Sequence, residues 1–208
     1  MIYPNLQRLV PTFTACTLLL ALSAYAGSSG TPIASTIYGG NIFALVSYPS
    51  ATWQDANVDA LSWGGHLASL TTQQETLSVY NAFYGIGLFG PGSPTPEAWI
   101  GGLTTDSDYT THSRDAWAWT DGDPWTAFDA SNFAPGEPNG DSSGLTINRY
   151  QSPMWNDAGS VGYPGPSGIN LYILEFSHPT SSAVPEPSGY VALTAVGLMA
   201  SGALRCRC

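Results

Sequence analysis

Apolar residues recur along the chain first with one period and then with another, and each change marks an element. Ile42 to Val46 is an apolar run of strand length, broken by Ser47-Tyr48-Pro49-Ser50. Trp53, Ala56, Ala60 and Trp63 then repeat at helical spacing, with Thr52 and Asp55 placed as an N-terminal cap and Gly64-Gly65 as the stop. Leu67 to Leu70 is short and extended. Thr72-Gln73-Gln74-Glu75 has the form of a capping box and predicts a second helix, with Leu77, Tyr80 and Tyr84 on its apolar face and Gly85 ending it.

From Gly85 to Gly168 the periodicity gives way to Gly, Pro, Asp, Ser and Trp, so strands there must be short and loops long. Ala98 to Gly101 and the alternating Ala116 to Trp119 are brief strand candidates, and Leu171 to Phe176 is a closing strand. Two early helices followed by short strands predict an α+β fold with a small antiparallel sheet and adjacent termini. Trp53, Trp63, Leu67, Leu70, Leu77, Trp99, Ile100, Trp119, Trp155, Ile173 and Phe176 are the expected core.

These residues resemble, in order, the motifs of the C-type lectin-like domain. Trp53-x-x-Ala56 leading into Gly64-Gly65-His66-Leu67-Ala68 is similar to the family's first helix and following strand, with Glu75 in its second helix. Ala98-Trp99-Ile100-Gly101-Gly102-Leu103 resembles its WIGL strand, with one extra Gly, and Trp117-Ala118-Trp119-Thr120-Asp121-Gly122 its W-x-W-x-D-G segment. Pro135-Gly136-Glu137-Pro138-Asn139 is similar to the calcium and sugar loop, and Trp155-Asn156-Asp157 to the later calcium-ligand strand. The resemblance implies a C-type lectin-like fold over residues 37–176, but without the family's disulfides: Leu174 stands where its last-strand Cys would be. Packing of the tryptophans and closure of the terminal strands are expected to do that work.

The ends read as addresses. Residues 1–26 have the form of a secretory signal peptide, Arg8 preceding an apolar run and Ala24-Tyr25-Ala26 giving the small-x-small site; the alternative is an N-terminal anchor. Residues 177–187 form a Ser/Pro linker ending in Pro185-Glu186-Pro187. In 188–208, Gly189 to Leu204 is an uncharged stretch shorter than the ~20 residues of a comfortable transmembrane helix, followed by Arg205 and Arg207. Together these resemble the PEP-CTERM sorting signal of Gram-negative bacteria, which implies an exosortase-type processing enzyme as partner, transient membrane anchoring, and a final place at the cell surface or in the extracellular matrix. Two arginines interleaved with Cys206 and Cys208 depart from the usual basic cluster, and a permanent C-terminal anchor is the alternative.

Composition removes other classes. The chain has 208 residues and a net charge of -10, which would repel a phosphate backbone, so no nucleic-acid partner is expected. All 3 Cys lie in the two terminal segments, and His66, His112 and His178 are dispersed, which excludes a structural zinc site or a Cys nucleophile between them. Each His reads as a surface or hydrogen-bonding residue. Acid pairs such as Asp121 and Glu137 are inevitable in so acidic a chain and carry little weight as acid and base, so the protein is not expected to be an enzyme.

The chemistry of the loop points to a hard cation. Ca²⁺ takes about 6–8 oxygen ligands, and Glu137, Asn139, Asn156 and Asp157 are carboxylates and amides of the right kind. The vicinal hydroxyls of a sugar would complete the metal shell while exchanging hydrogen bonds with the same side chains. A further acid that the family usually places about six residues on is here Leu145; Asp141, in a permissive Gly-rich loop, is placed to substitute. Trp125 and Tyr163 are candidates for exposed stacking. The expected function is an exported, calcium-dependent carbohydrate-binding protein acting on glycans or exopolysaccharide. The alternative is a calcium-independent structural or protein-interaction surface domain, in which Glu137 to Gly140 is only a turn and Trp155 only core.

Overall fold

The computed structural model describes residues 30–106, 113–140, 143–159 and 169–177. The expected signal peptide, most of the linker, the sorting tail, Asp141, Tyr163, His112 and His178 lie outside these residues. Among the described residues, no helix is long and apolar enough to cross a membrane.

The described residues form, in chain order, β1 (Thr31–Tyr38), β2 (Asn41–Ser47), α1 (Trp53–Ser62), β3 (His66–Leu67), α2 (Gln73–Phe83), β4 (Ala98–Thr104), β5 (Trp117–Trp119), α3 (Ala127–Ser131), β6 (Gly144–Ile147), β7 (Trp155–Ala158) and β8 (Leu171–Phe176). The strands form one sheet in the order β1-β2-β8-β4-β6-β7, with β3 paired to β8 and β5 to β4. The α+β class stands. The sheet is mixed rather than antiparallel, because Ala98 and Trp99 of β4 run parallel to Leu171 and Tyr172 of β8.

Local chemistry explains the helices. Thr52 and Asp55 form a complete capping box for α1, the Thr52 side chain accepting the Asp55 N–H and the Asp55 carboxylate accepting the Thr52 N–H. Thr72 caps α2 through the Glu75 N–H, but the Glu75 carboxylate reaches Thr71 instead of closing the box. The inward face of α2 is Thr76, Val79, Tyr80 and Phe83. Leu77 is therefore only half-buried, and Tyr84 projects outward because its backbone (ψ 124) has already left the helix. Phe176, the last residue of β8, is likewise half-buried. The other expected core residues are buried.

Two of the tryptophans stitch α1 to the sheet. The Trp53 indole donates to the Ile100 carbonyl at 2.9 Å and the Trp99 indole to the Ala51 carbonyl at 2.8 Å. Where a disulfide was expected to be replaced by packing, Leu174 is fully buried and pairs with Leu67 of β3 and Ala44 of β2. Asp59 of α1 is a polar clamp, one carboxylate oxygen accepting from Gly30 N–H, the Trp63 indole and the Tyr172 hydroxyl.

The folded unit begins upstream of residue 37. The polar stretch before it supplies β1, which pairs along its length with β2 and is only half-buried, as suits an edge strand of Ser, Thr and Ala. Tyr38 and Phe176, the bounds expected for the domain, do lie at the same end of the sheet, opposite Asn41 and Ile42 of β2, but β1 carries the described unit back to the other end. Thr31 lies opposite Ser47, which lies opposite Leu171, whereas Phe176 lies opposite Ile42, so the chain comes in at one end of the β1-β2-β8 ribbon and leaves at the other.

Candidate functional site

The loop from Asn132 to Gly140 is fastened to β7 before it presents any side chain. The Ala134 N–H donates to the Trp155 carbonyl and the Trp155 N–H to the Asn132 carbonyl, at 2.9 and 3.0 Å. Beneath it, Trp155 is fully buried and packs against Trp119, Trp125, Phe128 and Phe133 with ring centroids 5.3 to 6.0 Å apart. Trp125 is thus part of this floor, its indole donating to the Arg114 carbonyl, and not an exposed platform. The short α3, capped by Thr126 and Asp129, leads into the loop; that box is legible in the sequence, but the expectation of irregular structure there passed over it.

Glu137 precedes a cis peptide bond to Pro138. Its carbonyl is gripped by the Arg114 guanidinium through Nε at 3.1 Å and Nη2 at 2.9 Å. Its side chain is buried, with Oε1 accepting the Tyr150 hydroxyl at 2.7 Å, while Oε2 is buried with no protein hydrogen-bond donor. Asp157, on β7, accepts the N–H of Asn139 on Oδ1 and of Gly140 on Oδ2, both at 3.1 Å. Burial, and then a hydrogen bond shared with the Glu137 carboxyl, push Asp157 up to about 6 against the pull of those two N–H groups.

The other predicted residues divide. Asn156 is buried in β7, with its amide nitrogen donating to the Asp157 carbonyl at 2.7 Å. Asn139 is exposed at the rim, its backbone tied to Asp157. Leu145 lies across from Asp157 in the sheet and is wholly in the core, where a Cβ on Gly102 would run into its side chain. Asp121 is engaged elsewhere, 3.5 Å from His66, and not with Glu137. His66 is a hydrogen-bonding residue, contacting Ser177 Oγ at 2.8 Å.

Whether this set suits a cation is decided by Glu137. Two buried carboxyls within hydrogen-bond reach of each other, one with its proton affinity raised, form an arrangement that either a shared proton or a divalent cation relieves. Both nearby guanidiniums are committed: Arg114 to the Glu137 carbonyl and Arg149 to Glu97 at 2.5 Å. Among the described residues no three His, Cys, Asp or Glu side chains converge, so amide and carbonyl oxygens would have to complete a shell. Tyr150 was not anticipated, because its link to Glu137 joins two loops that no local motif connects.

No protein-family model matches the chain, and no curated protein is similar to it. Solved structures do match. A calcium-independent type II antifreeze protein is 24% identical, covering 69% of this chain and 91% of its own, with a TM-score of 0.50. The cow C-type carbohydrate-recognition domain of CD23, solved in the presence of a GlcNAc2Man3 oligosaccharide, is 19% identical over 71% of this chain and 95% of its own, TM-score 0.50. Human lithostathine is 16% identical over 69% and 97%, TM-score 0.50. These likenesses show the fold, which is C-type lectin-like.

Proposed function

We propose that this C-type lectin-like fold is an exported carbohydrate-binding domain whose ligand site is built from the exposed Asn139 and the buried Glu137, Asn156 and Asp157 behind it. The observation that supports it best is the pair of buried carboxyls, Glu137 and Asp157, that the cis-proline loop and β7 bring together. Glu137, Asn139, Asn156 and Asp157 would hold calcium, which would supply Lewis acidity toward the vicinal hydroxyls of a sugar. The chain's own residues do the rest. Arg114 fixes the loop through the Glu137 carbonyl, the N–H groups of Asn139 and Gly140 hold the Asp157 carboxylate in place, and the exposed Asn139 amide is free to exchange hydrogen bonds with the ligand. Asp141 would add a third acid to Glu137 and Asp157.

The second reading, a calcium-independent structural or protein-interaction surface domain, is favoured by one feature: Leu145 is a core residue where a further acidic ligand was expected. A glycan array run with calcium and with a chelator separates the two. Calcium-dependent retention of any glycan supports the first, and none supports the second.

Export belongs to the same reading. The N-terminal segment would be removed near Gly27, and the Pro185-Glu186-Pro187 tail would be processed by an exosortase-type enzyme, leaving the domain at the surface or in the exopolysaccharide of a Gram-negative cell. Intact mass of surface-extracted protein tests it: loss of Cys206 and Cys208 is expected, and their retention favours a permanent anchor.

A further inference from the structure

Glu137 offers two carboxylate oxygens, and neither is open to a ligand coming from solvent. Oε2 is buried, and Oε1 already accepts a hydroxyl, that of Tyr150 at 2.7 Å. The donor is unusual in its setting. Tyr150 is 52% exposed, so the ring is not held by a surrounding core. It stands on the turn between β6 and β7, where Asn148 and Gln151 adopt positive φ (76° and 53°) without being glycine. Its neighbour Arg149 is fixed to Glu97 and also hydrogen-bonds the Tyr150 side chain, and Asn148 is fixed through its amide to the Pro96 carbonyl at 2.8 Å. The base of the turn is therefore anchored while its aromatic tip reaches over to the site.

A phenol O–H and a sugar O–H make the same kind of bond to a carboxylate. We infer that Tyr150 is a residue of the binding site that stands in for a ligand hydroxyl on Glu137, and that a polyol ligand enters by exchanging its own O–H for the phenol's. This rests on the reading of Glu137 as a ligand carboxylate. The exchange leaves the number of hydrogen bonds on Oε1 unchanged, so the site keeps its acceptor satisfied in both states. It also selects. A ligand that presents only apolar surface or acceptors cannot replace the phenol donor, whereas a diol can donate to Glu137 with one hydroxyl and leave the other for the exposed Asn139 amide.

Competition of this sort lowers apparent affinity by the fraction of molecules in which the acceptor is closed. Removing the phenol oxygen removes the competitor. In 5 mM calcium, the full-length Tyr150→Phe chain should bind mannose- or galactose-derivatised surfaces about tenfold more tightly than wild type, the factor for one charge-assisted hydrogen bond. In parallel, wild type labelled with ¹³C at tyrosine Cζ should show one resonance, absent from the Tyr150→Phe protein, that moves on saturation with the sugar. Equal or weaker binding by Tyr150→Phe, or a Tyr150 resonance that sugar does not move, overturns the exchange while leaving the carbohydrate-binding reading in place. If neither protein retains either sugar, that reading falls and the exchange falls with it.

Discussion

Replacing Glu175 by Gln should make two pH–stability curves cross. Glu175 is 3% exposed in β8, where Oε1 accepts from the Asn41 amide at 2.7 Å and Oε2 from the Ser69 N–H at 3.0 Å. Burial is the main cause that lifts it to about 8, with Glu75, Asp121 and Asp123 adding repulsion and the Ser69 N–H opposing. Below the unfolded value near 4.5 the carboxyl is protonated in both states. As pH climbs from there to about 8, the native state keeps a proton that the unfolded chain has released, so stability falls through that window and levels off above it. The full shift sets a ceiling of about 5 kcal/mol, at ~1.4 kcal/mol per pH unit. With solvent relaxation the expected loss is about 2–3 kcal/mol, or roughly 6–9 °C in melting temperature for a domain of this size. Gln keeps one acceptor and loses the other, a pH-independent cost of about 1 kcal/mol. Wild type should therefore melt higher at pH 5 and the Glu175→Gln variant higher at pH 8.5. Thermal melts of both proteins across that range decide it, because Glu75, Asp123, Asp129 and Asp157, also raised, titrate in both and largely cancel in the difference. Parallel curves would refute the argument.

Calcium at 1 mM should stabilise the wild type by about 0.4–1.4 kcal/mol, the range for a dissociation constant of ~10⁻³ to 10⁻⁴ M, and differential scanning fluorimetry should show that rise vanish in Glu137→Ala and Asp157→Asn. Trp155→Ala, which opens a hole beneath the site loop, should cost about 3–5 kcal/mol in urea unfolding. Gly102→Ala puts a Cβ 2.1 Å from a Leu145 methyl and should cost about 1–3 kcal/mol by the same assay, through overpacking.

Much of this was legible because the information is local. The α1 cap needs only Thr52 and Asp55, and the approach of Glu137 and Asp157 follows from two short motifs whose order is itself informative. What escaped the sequence was set at a distance. β1 carries no apolar run, since an edge strand of Ser and Thr is specified by its pairing to β2 and not by burial. The inward face of α2 is chosen by Val79 and Phe83 meeting the core, which turned Leu77 half outward despite its suitable spacing. Asp157 and Leu145 face each other only through strand register, and Tyr150 meets Glu137 only through the turn that follows β6. None of these has a signature within a few residues.

The offset between the first and last strand ends, Thr31 and Phe176, has a mechanical consequence. In the β1-β2-β8 ribbon, Thr31 and Phe176 point away from one another along the strand axis. Tension applied between those ends would slide β1 and β8 past β2 lengthwise, so the ladder hydrogen bonds must stretch together instead of parting one after another as in a zipper. A ribbon loaded that way resists rupture by the sum of its rungs. Force applied at Thr31 and Phe176 therefore meets the ribbon in shear, not in peeling.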